Sequence, residues 1–193
     1  MYLFFNTKTT GFPGDYNAPL TDTSNWPRLV QLAYALYTAE GRMMETYNRI
    51  IRPEGYEIPY DAEALHGIST EKALREGEDL GRVLDDFHRI TFRCTHLIGH
   101  NVSFNEKIIG AEFFRKKGSN PLTIHSKHCL MKKAEIVEFC ALQPFMYGTF
   151  KWPTLPELHS KLFGMPYKET NDAARDLDVM VKCFLELLRK GII

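Results

Sequence analysis

The chain has 193 residues, 44% hydrophobic and 25% charged, which is apolar material for one sizeable core and excludes a disordered or low-complexity protein. Its 24 lysines and arginines balance 24 aspartates and glutamates, so no global basicity advertises nucleic acid, and such a partner has to be held by a local patch. Four cysteines, at 94, 129, 140 and 183, fit neither a zinc spacing nor a small disulfide framework, and no apolar run approaches the ~20 residues of a membrane span.

Tyr2–Phe5 reads as a buried strand that ends in a polar triplet, Asn6-Thr7-Lys8, and breaks at Thr9-Thr10-Gly11. The short apolar run lacks the basic flank of a signal peptide, so the expectation is a cytoplasmic protein with reduced, mostly buried thiols. Gly11 to Pro27 is a long loop carrying Pro13, Gly14, Pro19 and Pro27. "RLVQLAYALYT" alternates imperfectly and reads as a second strand; "EGR" turns; "MMETYNRIIRP" reads as a third. Tight links between three early strands predict an antiparallel meander.

"DAEALHGIST" reads as a short helix broken at Gly67, with Ser69 or Thr70 as the next N-cap. Leu80, Val83, Leu84, Phe87 and Ile90 then recur at helical spacing. "HLIGH" is a short buried strand running into "NVSFNEKIIGAEFFRKKG", a helix that stops at Gly118. A mixed segment over 122–150 holds Phe139, Phe145, Tyr147, Phe150 and one further probable strand. "TLPELHSKLFG" is a helix with Thr154 as its cap and Gly164 as its stop, and Asp172 to Lys190 is a long helix with an apolar stripe from Ala173 to Leu188. The pattern predicts an α/β fold: a mixed sheet beginning with a three-stranded antiparallel meander, flanked by helices, as one domain over 1–193.

Four stretches put polar side chains where an element ends: Asn6–Gly11, His66–Ser69, "GHNVSFN" over 99–105, and "NDAARD" over 171–176. In these stretches the chain resembles the DnaQ-like 3′–5′ exonucleases of the DEDDh group, the proofreading-subunit type. Their motifs read D-x-E-T-T-G, H-G-I, G-H-N-x-x-F-D and H-x-A-x-x-D. The frames stand here as T-T-G at 9–11, H-G-I at 66–68, G-H-N-x-x-F at 99–104 and A-x-x-D at 173–176. The resemblance covers nearly the whole chain and implies an RNase H-like exonuclease fold.

The departures fall on the chemistry. The family's first Asp corresponds to Asn6, its Glu to Lys8, its second Asp to Asn105 and its general-base His to Asn171; Asp176 alone is retained. The family's reaction needs two divalent ions, magnesium or manganese, held by carboxylates about 3.5–4 Å apart. An amide brings no negative charge, and Asn171 has no basic lone pair. Lys8 puts a positive charge where a cation belongs. Two unit charges 4 Å apart repel by roughly 4 kcal/mol at an effective dielectric near 20, and a divalent ion doubles that. No cofactor is therefore expected, with Asp176 the one residual and weak metal ligand. The predicted arrangement instead pairs Lys8 with Asp176, with Asn6 and Asn105 as hydrogen-bond partners.

The implied function is an exonuclease homologue that binds single-stranded nucleic acid or 3′ ends and is inactive or strongly impaired. A natural pseudoenzyme and an inactivated variant of an active enzyme give the same pattern. The alternatives are an active metal-dependent exonuclease using residual ligands such as Asp15 and Asp172, and a protein-interaction module on the same scaffold. Nucleic-acid contacts are expected from Thr9, Thr10, Gly11, His66, Asn101 and Phe104. A basic run, Arg115, Lys116, Lys117, Lys127, Lys132 and Lys133 without an intervening acid, adds Lys116, Lys117, Lys132 and Lys133, with His125, His128, Phe150 and Trp152 nearby. Plainer roles compete: Asn105 and Asn171 as helix caps, Asp176 as a solvated helix charge, and His66 and His100 as loop-orienting residues.

Overall fold

The computed structural model describes residues 1–122, 126–143, 150–168 and 172–193. Asn171, His125, Phe145 and Tyr147 lie outside the described residues. Three strands, β1 (Tyr2–Thr9), β2 (Leu29–Tyr37) and β3 (Met43–Ile50), form the antiparallel meander, and β4 (His96–Gly99) and β5 (Ser126–Cys129) add to β1 in parallel. The sheet order is β3-β2-β1-β4-β5, so β1 is the central strand.

Helices cover both faces of this sheet. Leu3 and Phe5 of β1 pack with Leu32 and Tyr34 of β2 against α3 (Leu80–Thr91) and α4 (Val102–Lys117). Phe4 packs with Ala33, Ala35 and Ile98 against α5 (Ala134–Cys140), α6 (Leu155–Phe163) and α7 (Ala173–Arg189). That is why β2 alternates imperfectly: eight of its nine residues are buried, and a strand covered on both sides needs no polar face. The alternation of β1 sends Asn6 and Lys8 to the same face as Phe4, toward α7.

The segment between β3 and β4 holds three helices where one or two were expected. α1 (Tyr60–His66) ends at Gly67; α2 (Thr70–Glu76) starts at the Ser69 cap and stops at Gly77 before α3. The break at Gly77 has a steric cause, since a Cβ there would lie 2.3 Å from the Ala73 carbonyl and 2.5 Å from the Arg52 nitrogen. Backbone hydrogen bonds Arg52 N to Glu78 O and Glu78 N to Ile50 O, both 2.9 Å, then draw the chain alongside the end of β3. The seven-residue α5 was also unforeseen, because two turns are too short for a periodic signal. Cys94, Cys140 and Cys183 are buried and Cys129 is half-buried.

One buried carboxylate holds the loop that borders the site. Glu112 of α4 is fully buried, accepts from Arg28 Nε at 3.0 Å and the Leu29 amide at 2.8 Å, and lies 3.1 Å from Arg115. Arg115 in turn donates to the Thr23 and Trp26 carbonyls, so one cluster fixes the end of the 11–28 loop and the start of β2. Glu112→Ala is expected to cost about 3 kcal/mol of unfolding free energy in urea, because it leaves two half-buried guanidinium groups and an amide without their acceptor; a loss under about 1 kcal/mol would refute that role.

Candidate functional site

The site lies where β1 and β4 end, beside the first turn of α7. The Lys8 ammonium is 2.7 Å from Asp176 Oδ2, joining the central strand to the last helix. Asp176 is buried at 2% side-chain exposure and Lys8 reaches 16%, so the lysine stands between the carboxylate and the open cleft. Tyr167 donates its hydroxyl to Asp176 Oδ1 at 2.8 Å. The first turn of a helix further favours a carboxylate.

The start of α7 is clamped to the sheet. Gln31, opposite Lys8 in the β1–β2 register, is 2% exposed; its Oε1 accepts the Ala173 amide at 3.1 Å and its Nε2 donates to Asn48 at 2.8 Å. Asn6 Nδ2 donates to the Ala173 carbonyl at 3.5 Å. Asp172 is the N-cap, accepting the Ala174 and Arg175 amides at 2.9 and 3.0 Å. The capping role foreseen for Asn171 therefore belongs to Asp172, and a carboxylate spent this way is a poor residual metal ligand.

On the β4 side, Gly99 permits a close turn: a Cβ there would meet Val102 Cγ2 at 2.8 Å. Asn101 follows in the left-handed region, φ 60°, which asparagine tolerates, and is itself the N-cap of α4 without a side-chain cap bond. Asn105 is buried inside the first turn of α4, not at its cap; it accepts from Thr7 Oγ1 at 2.7 Å and donates to the His100 carbonyl at 3.2 Å. Neither Asn6 nor Asn105 bonds the Lys8–Asp176 pair among the described residues, which corrects the expected arrangement: both amides serve backbone or neighbouring side-chain groups instead.

A cleft of about 390 Å³ opens here, and Asn6, Lys8, Thr9, Gly11, His66, Phe104 and Asn105 all line it. Thr9 donates to the Gly11 carbonyl at 2.7 Å, and Gly11 has φ 152°, which side-chain-bearing residues rarely adopt. Thr10 is turned to β2, accepting the Arg28 amide at 2.9 Å. The basic run is not gathered here. About 17 Å of helix separates Asn105 from Lys116, whose ammonium pairs with Glu54 at 2.6 Å, and Lys117 pairs with Asp85. Lys127 pairs with Glu106 at 2.7 Å and Lys133 with Glu135 at 3.2 Å. Lys132 sits over the Trp152 ring at 4.6 Å.

This fold has counterparts among solved structures. E. coli exonuclease I in complex with a dA16 oligonucleotide matches with a TM-score of 0.73 at 19% identity, over 98% of this chain and 40% of that one. The zinc-bound form of the E. coli exonuclease I complex with single-stranded DNA matches at 0.70 and 20% identity, and an apo exonuclease I at 0.69 and 19%. The fold is the RNase H-like fold of exonuclease I. The chain spans about two fifths of the length of those solved chains. No protein-family model matches it, and no curated protein does.

The donor set of this exonuclease fold does not fit a divalent pair. An ammonium lies within hydrogen-bond distance of Asp176, amides occupy the neighbouring positions, and no three His, Cys, Asp or Glu side chains converge among the described residues. A hard cation wants several oxygen ligands and faces a fixed positive charge instead. Sequence reasoning missed Gln31 and Tyr167, which position Asp176, and Phe12, a cleft-lining side chain 73% exposed. Gln31 carried a signal, a lone polar residue in an otherwise apolar strand; Tyr167 carried none.

Burial pushes the His100 ring down from its ordinary value near 6.5 to about 4, against the opposing pull of the Pro153 carbonyl and Asp176. Burial also lowers His66, which the Lys8 charge lowers further. Between about pH 6.5 and 4 the unfolded chain binds a proton that folded His100 refuses, so stability falls as pH drops. Urea unfolding is expected to lose on the order of 2–3 kcal/mol across that window, with the slope flattened by His100→Gln; a profile that this substitution leaves unchanged contradicts the neutral buried ring.

The ion pair makes a separate prediction. Lys8→Met removes the ammonium from a buried carboxylate and is expected to cost about 3 kcal/mol, most of it recovered by adding Asp176→Asn. A double-variant loss equal to the sum of the losses of Lys8→Met and Asp176→Asn alone would show that the two side chains are not coupled.

Proposed function

We propose that the chain is a 3′–5′ exonuclease homologue of the DEDDh type, residues 1–193 forming one exonuclease-like domain, that binds single-stranded nucleic acid without hydrolysing it. The observation that carries this reading is the Lys8–Asp176 pair at 2.7 Å, inside the cleft of an exonuclease fold. By the resemblance, Asn6, Lys8, Asn105, Asn171 and Asp176 occupy the family's catalytic positions. Four of them offer amides or an ammonium, so the carboxylates of a two-metal clamp are missing and an amide stands at the family's general-base position.

The cleft still suits a strand. It is lined by the exposed Phe12, whose ring lies 6.4 Å from that of Phe104, and the exposed Tyr16 ring lies 6.3 Å from the same Phe104. Exposed aromatic rings stack on bases whatever the sequence, and the Lys8 ammonium has donors beyond the one directed at Asp176. Binding of oligonucleotides by the structurally similar exonuclease I complexes supports the same partner class.

The test uses a 5′-fluorescent dT8 strand. Anisotropy is expected to show salt-dependent binding that persists in EDTA, with no shortening of the strand in magnesium or manganese. Shortening that Asp176→Ala abolishes would overturn the reading in favour of an active enzyme. Restoring the family's letters together, as Asn6→Asp, Lys8→Glu, Asn105→Asp and Asn171→His, is expected to create metal-dependent release of nucleotides.

A further inference from the structure

Lys116, Lys117 and Lys127 of the basic run pair with acids from other parts of the fold, Arg115 and Lys133 with acids close in sequence, and Lys132 is the exception. Among the described residues it has no acidic partner; its ammonium lies 4.6 Å from the centroid of the Trp152 ring. Trp152 is 54% exposed even so, and the neighbouring Phe150 is 44% exposed. Large exposed aromatic surface costs solubility and contributes little to folding, so an indole left open beside a lysine without an acid calls for a partner.

Its place in the fold indicates which one. Lys132 lies in the turn that follows β5, and the Leu130 amide of that turn bonds the Gly99 carbonyl at 3.0 Å, at the carboxyl end of β4. Trp152 precedes Pro153, whose carbonyl sits beside the His100 ring. His100 itself lines the cleft that holds Lys8. The indole and the ammonium therefore adjoin the cleft through Gly99 and His100, at the carboxyl edge of the parallel strands, where open α/β sheets take ligands.

We propose that Trp152 and Lys132 form a stacking platform that extends the cleft, the indole taking a nucleobase and the ammonium the adjoining phosphate of a single strand. This rests on the nucleic-acid-binding reading above. It differs from that reading in naming a second contact, outside the family's motif positions, that holds a nucleotide beyond the one in the cleft. The platform is sequence-tolerant, because every base offers a π-face.

The chain contains two tryptophans, and Trp26 is buried at 2% exposure, so both emit but only Trp152 is open to quenching by a stacked base. Titration with dT8 is expected to quench that fluorescence, and Trp152→Phe to abolish the quench while keeping most of the affinity. Trp152→Ala is expected to weaken dT8 binding about tenfold by anisotropy, with an unchanged melting temperature. Lys132→Ala is expected to lower the slope of log affinity against log salt by about 0.7, the loss of one phosphate contact on a single strand. Lys116→Ala removes the same charge at the far end of α4 and is expected to leave the slope unchanged. If dT8 binds but Trp152 is not quenched and Trp152→Ala binds as well as the parent, the platform is refuted and the cleft reading stands. If dT8 does not bind at all, both fall.

Discussion

The ion pair between Lys8 and Asp176 is the constraint on which the site depends. A carboxylate in the first turn of α7 is buried against the end of the central strand, and a buried carboxylate demands a compensating cation. Here the chain supplies that cation from a side chain of its central strand, Lys8, next to the register shift between β1 and β2. The pair therefore closes the junction between sheet and helix. Tyr167 on the second carboxylate oxygen and Gln31 on the Ala173 amide fix the helix end, so the ammonium meets its partner in one geometry.

Around this junction several residues answer to demands of the backbone itself. Gly99 leaves room for Val102 where β4 turns into α4, Gly11 takes a backbone angle closed to other residues, and Asn101 sits in the left-handed region. These are demands of chain geometry. They hold whether the neighbouring side chains are carboxylates or amides, and among the described residues no three His, Cys, Asp or Glu side chains converge beside them. The buried amide of Asn105 illustrates the same separation: it satisfies Thr7 and the His100 carbonyl, a structural task that needs no charge.

Charge along the chain and charge in space part company in this molecule. The basic run between Glu112 and Glu135 reads as a patch, yet the fold carries Lys116 to Glu54, Lys117 to Asp85 and Lys127 to Glu106. Each pair joins residues distant in sequence, and exposed pairs of this kind contribute little stability while cancelling the local field. What survives near the cleft is a single lysine on an indole, far less than the linear count suggests.

The sequence by itself determined the strands of the meander and the long helices, because these are local: apolar periodicity and turn glycines act within a few positions. The charge argument at Lys8 was also legible, since it needed only the assumption that the ends of β1 and α7 meet. Tertiary structure alone decided the rest. It split the segment before β4 at Gly77, where the backbone of Arg52 leaves no space for a side chain. It gave the α7 cap to Asp172, turned Asn105 inward and paired Lys116, Lys117 and Lys127 with distant acids. Those outcomes depend on which distant groups arrive within about 3 Å of one another, and no local pattern carries that distance.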